Sequence, residues 1–402
     1  MVKSIAVFEY TVGGGFSKTQ LNTKLLVEGY AMLYTVTEDL KSSGYKVVTT
    51  IDERLASTIK VPTDENVIIK SGETPLEKLE SILKTVDGIL LIAPAFKDAL
   101  YEATRFMEKA GIYVLGSNSS GVLKASDKRL TLLSLKKANL PTPKTKVADI
   151  NENVDEVRLK VEEIGYPVVF KPADGSGCEG ISLVKDYSKI SQALNLVRKN
   201  TKTKHFLIQE FLGGVHVSVS LLTDGENILP LTLNMQKVKL KEPSKGSGYF
   251  GGVIPFNHPM AEEAKKVACL AVKSIDGLKG YVGVDMILTR EGPVIVEVNP
   301  RITTSYLGLR KVLRLKLGEA LVKAGLGLGL PKKIDYRGVV IVSKTSLPKG
   351  FNRECSSNVS RNIKVFNVPQ SNFLLATVYG KSYSNARKAF KRFREKVLRV
   401  AG

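Results

Sequence analysis

The 402-residue sequence has few of the residue types on which many activities depend. Its three cysteines, Cys178, Cys269 and Cys355, are scattered and odd in number, which speaks against a disulfide framework. Its three histidines, His205, His216 and His258, have no zinc-type spacing among themselves or with cysteine. Cys178 has no His/Asn pattern to activate a thiol nucleophile. Triad hydrolysis and zinc hydrolysis are therefore excluded from the working set. No run of 18 apolar residues is present, so no membrane span or membrane partner is expected. The opening stretch from Met1 to Phe8 lacks the plan of a signal peptide and reads as a first strand in a cytoplasmic protein. A Walker A sequence is missing as well.

What remains is a globular composition, 43% hydrophobic and 25% charged, in a chain longer than one ordinary domain. Its most informative stretch runs from Gly283 to Arg301. Two apolar runs, residues 281–289 and 294–298, flank Arg290-Glu291-Gly292-Pro293 and predict a β-hairpin. Side chains alternate along a strand, so Glu297 and Asn299 share a face. A short loop brings Asp285 opposite them, within one residue of register. Two carboxylates and an amide oxygen form a hard oxygen cage suited to Mg²⁺ carrying phosphates. An acidic hairpin facing water is the plain alternative, but these acids interrupt otherwise apolar strands.

Upstream, a buried-looking strand delivers Lys171 and then the loop Gly175-Ser176-Gly177-Cys178-Glu179-Gly180. Loop glycines let backbone N–H groups approach phosphate oxygens, and the lysine adds a point charge. The run from Phe206 to Gln209 reads as a strand entering a hinge at Glu210-Phe211-Leu212, which can offer backbone groups to a planar base between apolar walls. Asp127 is a fitting N-cap for a helix that opens on Lys128.

Taken in order, Lys128, Lys171 with its glycine loop, the 210–212 hinge, Asp285 and Glu297-Val298-Asn299-Pro300-Arg301 resemble the ATP-grasp superfamily. The resemblance spans roughly residues 117–330. It implies ATP held between two α+β subdomains, with Lys128 and Lys171 on the phosphates. Gly175, Ser176, Gly177 and Gly180 become a mobile lid, and Glu210, Phe211 and Leu212 the adenine hinge. Asp285, Glu297 and Asn299 become ligands of Mg²⁺ or Mn²⁺. His216 stands where many relatives carry a ribose-binding glutamate. Within the superfamily, Phe8-Glu9-Tyr10, Gly13-Gly14-Gly15, Glu28-Gly29, residues 251–256 and Asn299-Pro300-Arg301 resemble the archaeal tyramine–L-glutamate ligases. The resemblance implies a small carboxylate joined to an amine through an acyl phosphate. Lys171 and Arg301 are then the catalytic candidates, Arg301 orienting the acyl phosphate bidentately. An Arg301–Glu297 ion pair is the structural alternative.

The expected fold class is α/β followed by α+β. Residues 1–117 alternate strand and helix as a Rossmann-like sheet, with strands near 4–9, 45–49, 66–70, 88–93 and 112–115. Glu9 ends the first strand and either meets a substrate ammonium or faces water. Residues 118–330 form the ATP-grasp portion, with a lid subdomain near 145–212. The basic, glycine-rich stretch 237–252 reads as a mobile loop, and Asn234 and Gln236 before it are candidates to touch substrate. Residues 331–402 read as a small basic α+β domain, with 16 Lys and Arg against three Asp and Glu, or +13 of the total +21. An acidic carrier protein and a homodimer stay open as partners. Nucleic acid is not expected, since charge runs without base-reading motifs are mostly solvated faces. A non-catalytic nucleotide-binding protein on the same scaffold is the other alternative.

Overall fold

Four short apolar runs near the N-terminus each lead into a helix, the pattern that builds a parallel sheet from crossovers. The computed structural model describes residues 2–83, 85–94, 98–175, 177–347 and 361–399. Strands β1 (Ser4–Glu9), β2 (Lys46–Asp52), β3 (Glu65–Ile69) and β4 (Gly88–Ile92) form a sheet of order β3-β2-β1-β4. All three pairings are parallel. The crossovers are α1 (Thr23–Ser42), α2 (Glu53–Ala56) and α3 (Pro75–Leu83). The fifth strand expected at residues 112–115 makes one bridge, Val114 to Ile89. Gly111 and Gly116 bracket that run and leave it too short for a ladder.

Three helices, α4 (Ala99–Lys109), α5 (Ser119–Ser126) and α6 (Lys128–Lys137), lead to a second sheet. Its strands β5 (Thr145–Asp149), β6 (Val168–Pro172), β7 (Ser182–Val184) and β8 (His205–Glu210) pair antiparallel in the order β5-β8-β6-β7. Helices α7 (Val154–Ile164) and α8 (Ile190–Asn200) cover it around Phe170 and Phe206, both fully buried. An Asn153–Glu156 capping box starts α7.

The third sheet holds β9 (Val215–Thr223), β10 (Ile228–Lys239), β11 (Gly248–Ile254), β12 (Gly280–Thr289), β13 (Gly292–Asn299), β14 (Val339–Ser346), β15 (Ile363–Asn367) and β16 (Phe373–Gly380). Their order is β13-β12-β9-β10-β11-β14-β16-β15. Helices α9 (Ala261–Lys273), α10 (Tyr306–Val312), α11 (Leu317–Leu326) and α12 (Tyr383–Arg399) pack around it. The expected loop 237–252 is shorter than its bounds: residues 240–247 are irregular, and the flanks are the end of β10 and the start of β11, paired through Lys239 and Gly248. β14 then pairs with β11, so the C-terminal strands continue the same sheet.

α1 joins the N-terminal sheet to this continuation. Its Leu26, Leu33, Val36 and Leu40 are buried in one core with β1, β2, α10, α11 and β14. At its far end, Arg310 Nε bonds Asp39 Oδ1 at 2.7 Å, and Arg310 Nη1 also meets Glu38. Lys364 bonds Glu38 Oε2 at 2.9 Å. On α12, Ala386 and Phe393 are buried, whereas Arg387, Lys388, Lys391, Arg392, Arg394 and Lys396 are exposed. That basic run is the solvated face of an amphipathic helix. The side chains of Val397 and Val400 lie outside the described residues. Among the described residues no helix is long and apolar enough to cross a membrane.

Candidate active site

The hairpin β12–β13 turns on Arg290 and Glu291, and its register sets Asp285 opposite Glu297 and Gly283 opposite Asn299. Opposed residues of an antiparallel pair share a face, so Asp285, Glu297 and Asn299 converge. Gln236 of β10 donates Nε2 to Asp285 Oδ1 at 2.9 Å, and Asn299 donates Nδ2 to Oδ2 at 3.2 Å. Burial raises the Asp285 carboxyl above its ordinary range, and the facing Glu297 charge raises it further. Gln236, Arg301 and Asn299 only partly oppose this.

Two buried lysines face the pair. Asp127 caps α6 by accepting the N–H groups of Arg129 and Leu130, which presents Lys128 as the first helical residue. Lys128 Nζ donates to Gly175 O at 2.6 Å and lies 3.4 Å from Glu297 Oε1. Lys171, on β6, is 6% exposed. Burial pulls its ammonium down to about 8 against the attraction of Glu297, with Lys128 adding to the depression.

A cavity of about 700 Å³ opens between the second sheet and the third. Lys171, Asp285 and Glu297 line it together with apolar Val169, Ile181 and Ile287. The hinge Glu210-Phe211-Leu212 and His216 line it as well. The hinge is tied by Glu210 Oε1, which accepts Lys144 N–H at 2.7 Å, and by Phe211 N–H to Pro167 O at 3.1 Å. Burial, then Lys171, holds the His216 imidazole below its usual value, so it stays neutral at pH 7. Gly180 has φ +74°, and a Cβ there would lie 2.6 Å from Pro172, so the loop turns only on glycine. Its Glu179 lies 3.4 Å from Lys24 of α1. Ser176 lies outside the described residues, and Cys355 does too. Burial pushes the Cys178 thiol up to about 12, which rules out a resting thiolate.

Arg301 follows β13 and donates Nη1 to Ile302 O at 3.1 Å and Nη2 to Asn299 Oδ1 at 3.5 Å. The Arg301–Glu297 ion pair weighed as its structural role is not formed; Glu297 pairs with Lys128 instead. Of the two polar residues flagged on β10, Gln236 reaches the site and Asn234 does not. Asn234 is fully buried, bonded to Ser220 and Thr232 within the sheet.

A second cavity, of about 390 Å³, is lined by Glu9, Glu28, Gly29, Gly177 and Arg301. Glu28 pairs with Lys344 of β14, and neither was singled out as a site residue from the sequence. One signal pointed there, since Gly29 sits inside a helix where glycine weakens it.

Asp285 and Glu297 are not part of any set of three or more acids, histidines or cysteines among the described residues. Such an open oxygen set fits Mg²⁺, which keeps waters and leans on substrate phosphates. The mutual repulsion of the two carboxylates is the strain a divalent cation relieves.

Residues 125–305 match the ATP-grasp domain, and residues 45–122 match the pre ATP-grasp 3 domain. The tyramine–L-glutamate ligase of Methanocaldococcus jannaschii is 32% identical over 325 residues, 80% of this chain and 89% of that protein. The chain belongs to the ATP-grasp family. A second tyramine–L-glutamate ligase, from Methanocaldococcus fervens, is 33% identical over 340 residues, 84% of this ATP-grasp chain and all but 1% of that protein's length, at 99%. Biotin carboxylase from Campylobacter jejuni, solved with a β,γ-ATP ligand, has a similar fold at 16% identity. Its TM-score is 0.75, covering 97% of this chain and 90% of that one. This ATP-grasp protein is an ADP-forming carboxylate–amine ligase that uses ATP and Mg²⁺.

Proposed function

We propose that this ligase joins glutamate, or a similar acidic amino acid, to tyramine or a related amine through an acyl phosphate. The two tyramine–L-glutamate ligases similar over most of its length support that substrate pair. The observation that carries the site assignment is the Asp285–Glu297 pair lining one cavity with buried Lys171, with buried Lys128 3.4 Å from Glu297.

In this reading the cavity takes ATP. Its adenine lies at Glu210-Phe211-Leu212, where Leu212 N–H has no protein acceptor among the described residues. Neutral His216 hydrogen-bonds the ribose. Lys128, Lys171 and the N–H groups of residues 177–180 offset charge that develops on the γ-phosphoryl group. Asp285, Glu297 and Asn299 hold Mg²⁺, or Mn²⁺ in its place, which when bound neutralises the terminal phosphates and orients them.

The substrate carboxylate oxygen attacks the γ-phosphorus, the bond to the β-phosphate oxygen breaks, and ADP leaves. Arg301 orients the acyl phosphate through paired N–H donors. The free amine then attacks the acyl carbon, the bond to the phosphate oxygen breaks, and inorganic phosphate leaves with the amide formed. The glycine loop closed on α1 through Glu179 and Lys24 excludes the water that would otherwise hydrolyse the acyl phosphate.

The test is ADP release with mass spectrometry of products across a matrix of acids and amines that includes glutamate and tyramine. One acid–amine pair should give ADP and the dehydrated conjugate. Binding of ATP without ADP formation by any pair overturns the small-molecule reading. A protein substrate with an acidic surface is then the second reading, favoured by the exposed basic face of α12. Steep salt dependence of its binding would mark it.

A further inference from the structure

Gly29 is buried inside α1 with no room for a side chain. A Cβ there would lie 2.6 Å from Glu9 Oε2 and 2.7 Å from Oε1. The helix is bare at this point because the Glu9 carboxylate fills the space. Glu9 ends β1, is 2% exposed, and accepts Val12 N–H at 2.8 Å. Among the described residues it forms no ion pair. It lines the 390 Å³ cavity with Leu25, Glu28, Met32, Ile92, Pro94 and Arg301.

Charge within that cavity is unevenly compensated. Lys344 of β14 reaches Glu28 Oε1 at 2.5 Å and also donates to Lys24 O at 3.0 Å. Glu28 and Lys344 therefore cancel. Arg301 is assigned above to the acyl phosphate. Glu9 is left as the carboxylate without a counter-ion, in a wall that is otherwise largely apolar. A buried anion without a partner is costly, and its complement is a cation with an apolar stem.

We propose that this cavity is a primary-ammonium subsite, in which Glu9 receives the –NH₃⁺ of a substrate whose stem lies on Leu25, Met32, Ile92 and Pro94. Burial also drives the Glu9 carboxyl up to about 7 against the Val12 and Thr11 hydrogen bonds and the Arg301 charge, and a bound ammonium would draw it back down. The subsite rests on the ligase reading, because Arg301 joins it to the reacting centre. The ammonium has two sources, the α-ammonium of the acidic amino acid and the amine nucleophile itself.

Calorimetric titration of the full chain with MgADP present distinguishes them. The probes are L-glutamate against glutarate, and tyramine against tyrosol, each pair differing in the amine. At least one ammonium compound should bind wild type about tenfold or more tighter than its counterpart, the worth of a charged hydrogen bond. The pair that shows the preference names the source. In Glu9→Gln the preference should fall to near unity, with MgATP affinity unchanged. Gly29→Ala should do the same by displacing the carboxylate; Glu9→Gln, which keeps shape and removes a buried charge, answers if Gly29→Ala does not fold. The subsite is overturned by a wild type with no preference in either pair, or by a preference that survives Glu9→Gln. If amide synthesis fails while the preference appears and is lost as described, the ligase reading falls and the subsite stands.

Discussion

Glu38 and Asp285 are both half-buried acids beside arginine, yet the protein treats them in opposite ways. Burial pushes Glu38 up, but contact with Lys364 and Arg310 more than offsets it and leaves its carboxyl below the ordinary range. Burial pushes Asp285 up, and its facing neighbour is another acid, so it stays above that range. The first cluster ties α1 to α10 and β15 by pairing two acids with an arginine and a lysine. The second holds like charges together and a lysine weakened to about 8. Charges that only hold a fold are matched by the fold; those left strained await a ligand that matches them.

The largest effect should come from the strained cluster. Asp285→Asn or Glu297→Gln should cut ADP release on the order of 1,000-fold or more, with the thermal midpoint unchanged or higher in Asp285→Asn, which relieves repulsion. Turnover near wild type in a steady-state assay would remove the metal assignment.

The matched cluster should answer in the reverse sense. Arg310→Ala leaves Glu38 and Asp39 without their shared arginine, and should cost roughly 3 kcal/mol in urea unfolding. ATP affinity of the folded fraction should hold. A stable Arg310→Ala protein with impaired chemistry would erase the contrast between the clusters.

A smaller effect sharpens the comparison through pH. Glu9 titrates near 4.5 unfolded and about 7 folded, so its contribution to stability is full below 4.5 and is lost as pH rises through 7. The difference amounts to about 3 kcal/mol. Glu9→Gln should therefore gain stability over wild type between about pH 5 and about pH 8, in urea titrations at each pH. An equal difference at both ends would mean that Glu9 is already matched.

Much of this was legible in the chain. Acids interrupting two apolar runs announced the hairpin, and Lys171 before a glycine loop announced a wall of the cavity, because both signals are local. The pairing of β14 with β11 was not legible, since strand partners far apart in sequence leave no mark on either strand. The stretch Lys237-Val238-Lys239, the end of β10, was readable and taken for loop. Its period of two is that of a strand, with Val238 turned to the cavity and Lys237 and Lys239 exposed. Its lysines and the glycines after them outweighed that alternation. Lys344 could not have been found, because only the fold brings β14 to α1.

That late strand bears on how the chain is made. A nascent chain emerging from the ribosome through β13 already carries every proposed nucleotide contact. It still presents β11 as an open edge, and Glu28 waits for Lys344. Domains fold as synthesis proceeds and unpaired edges invite misassembly. The ammonium pocket thus acquires its full set of charges only after some 45 further residues, counted from Asn299 to Lys344, have been translated.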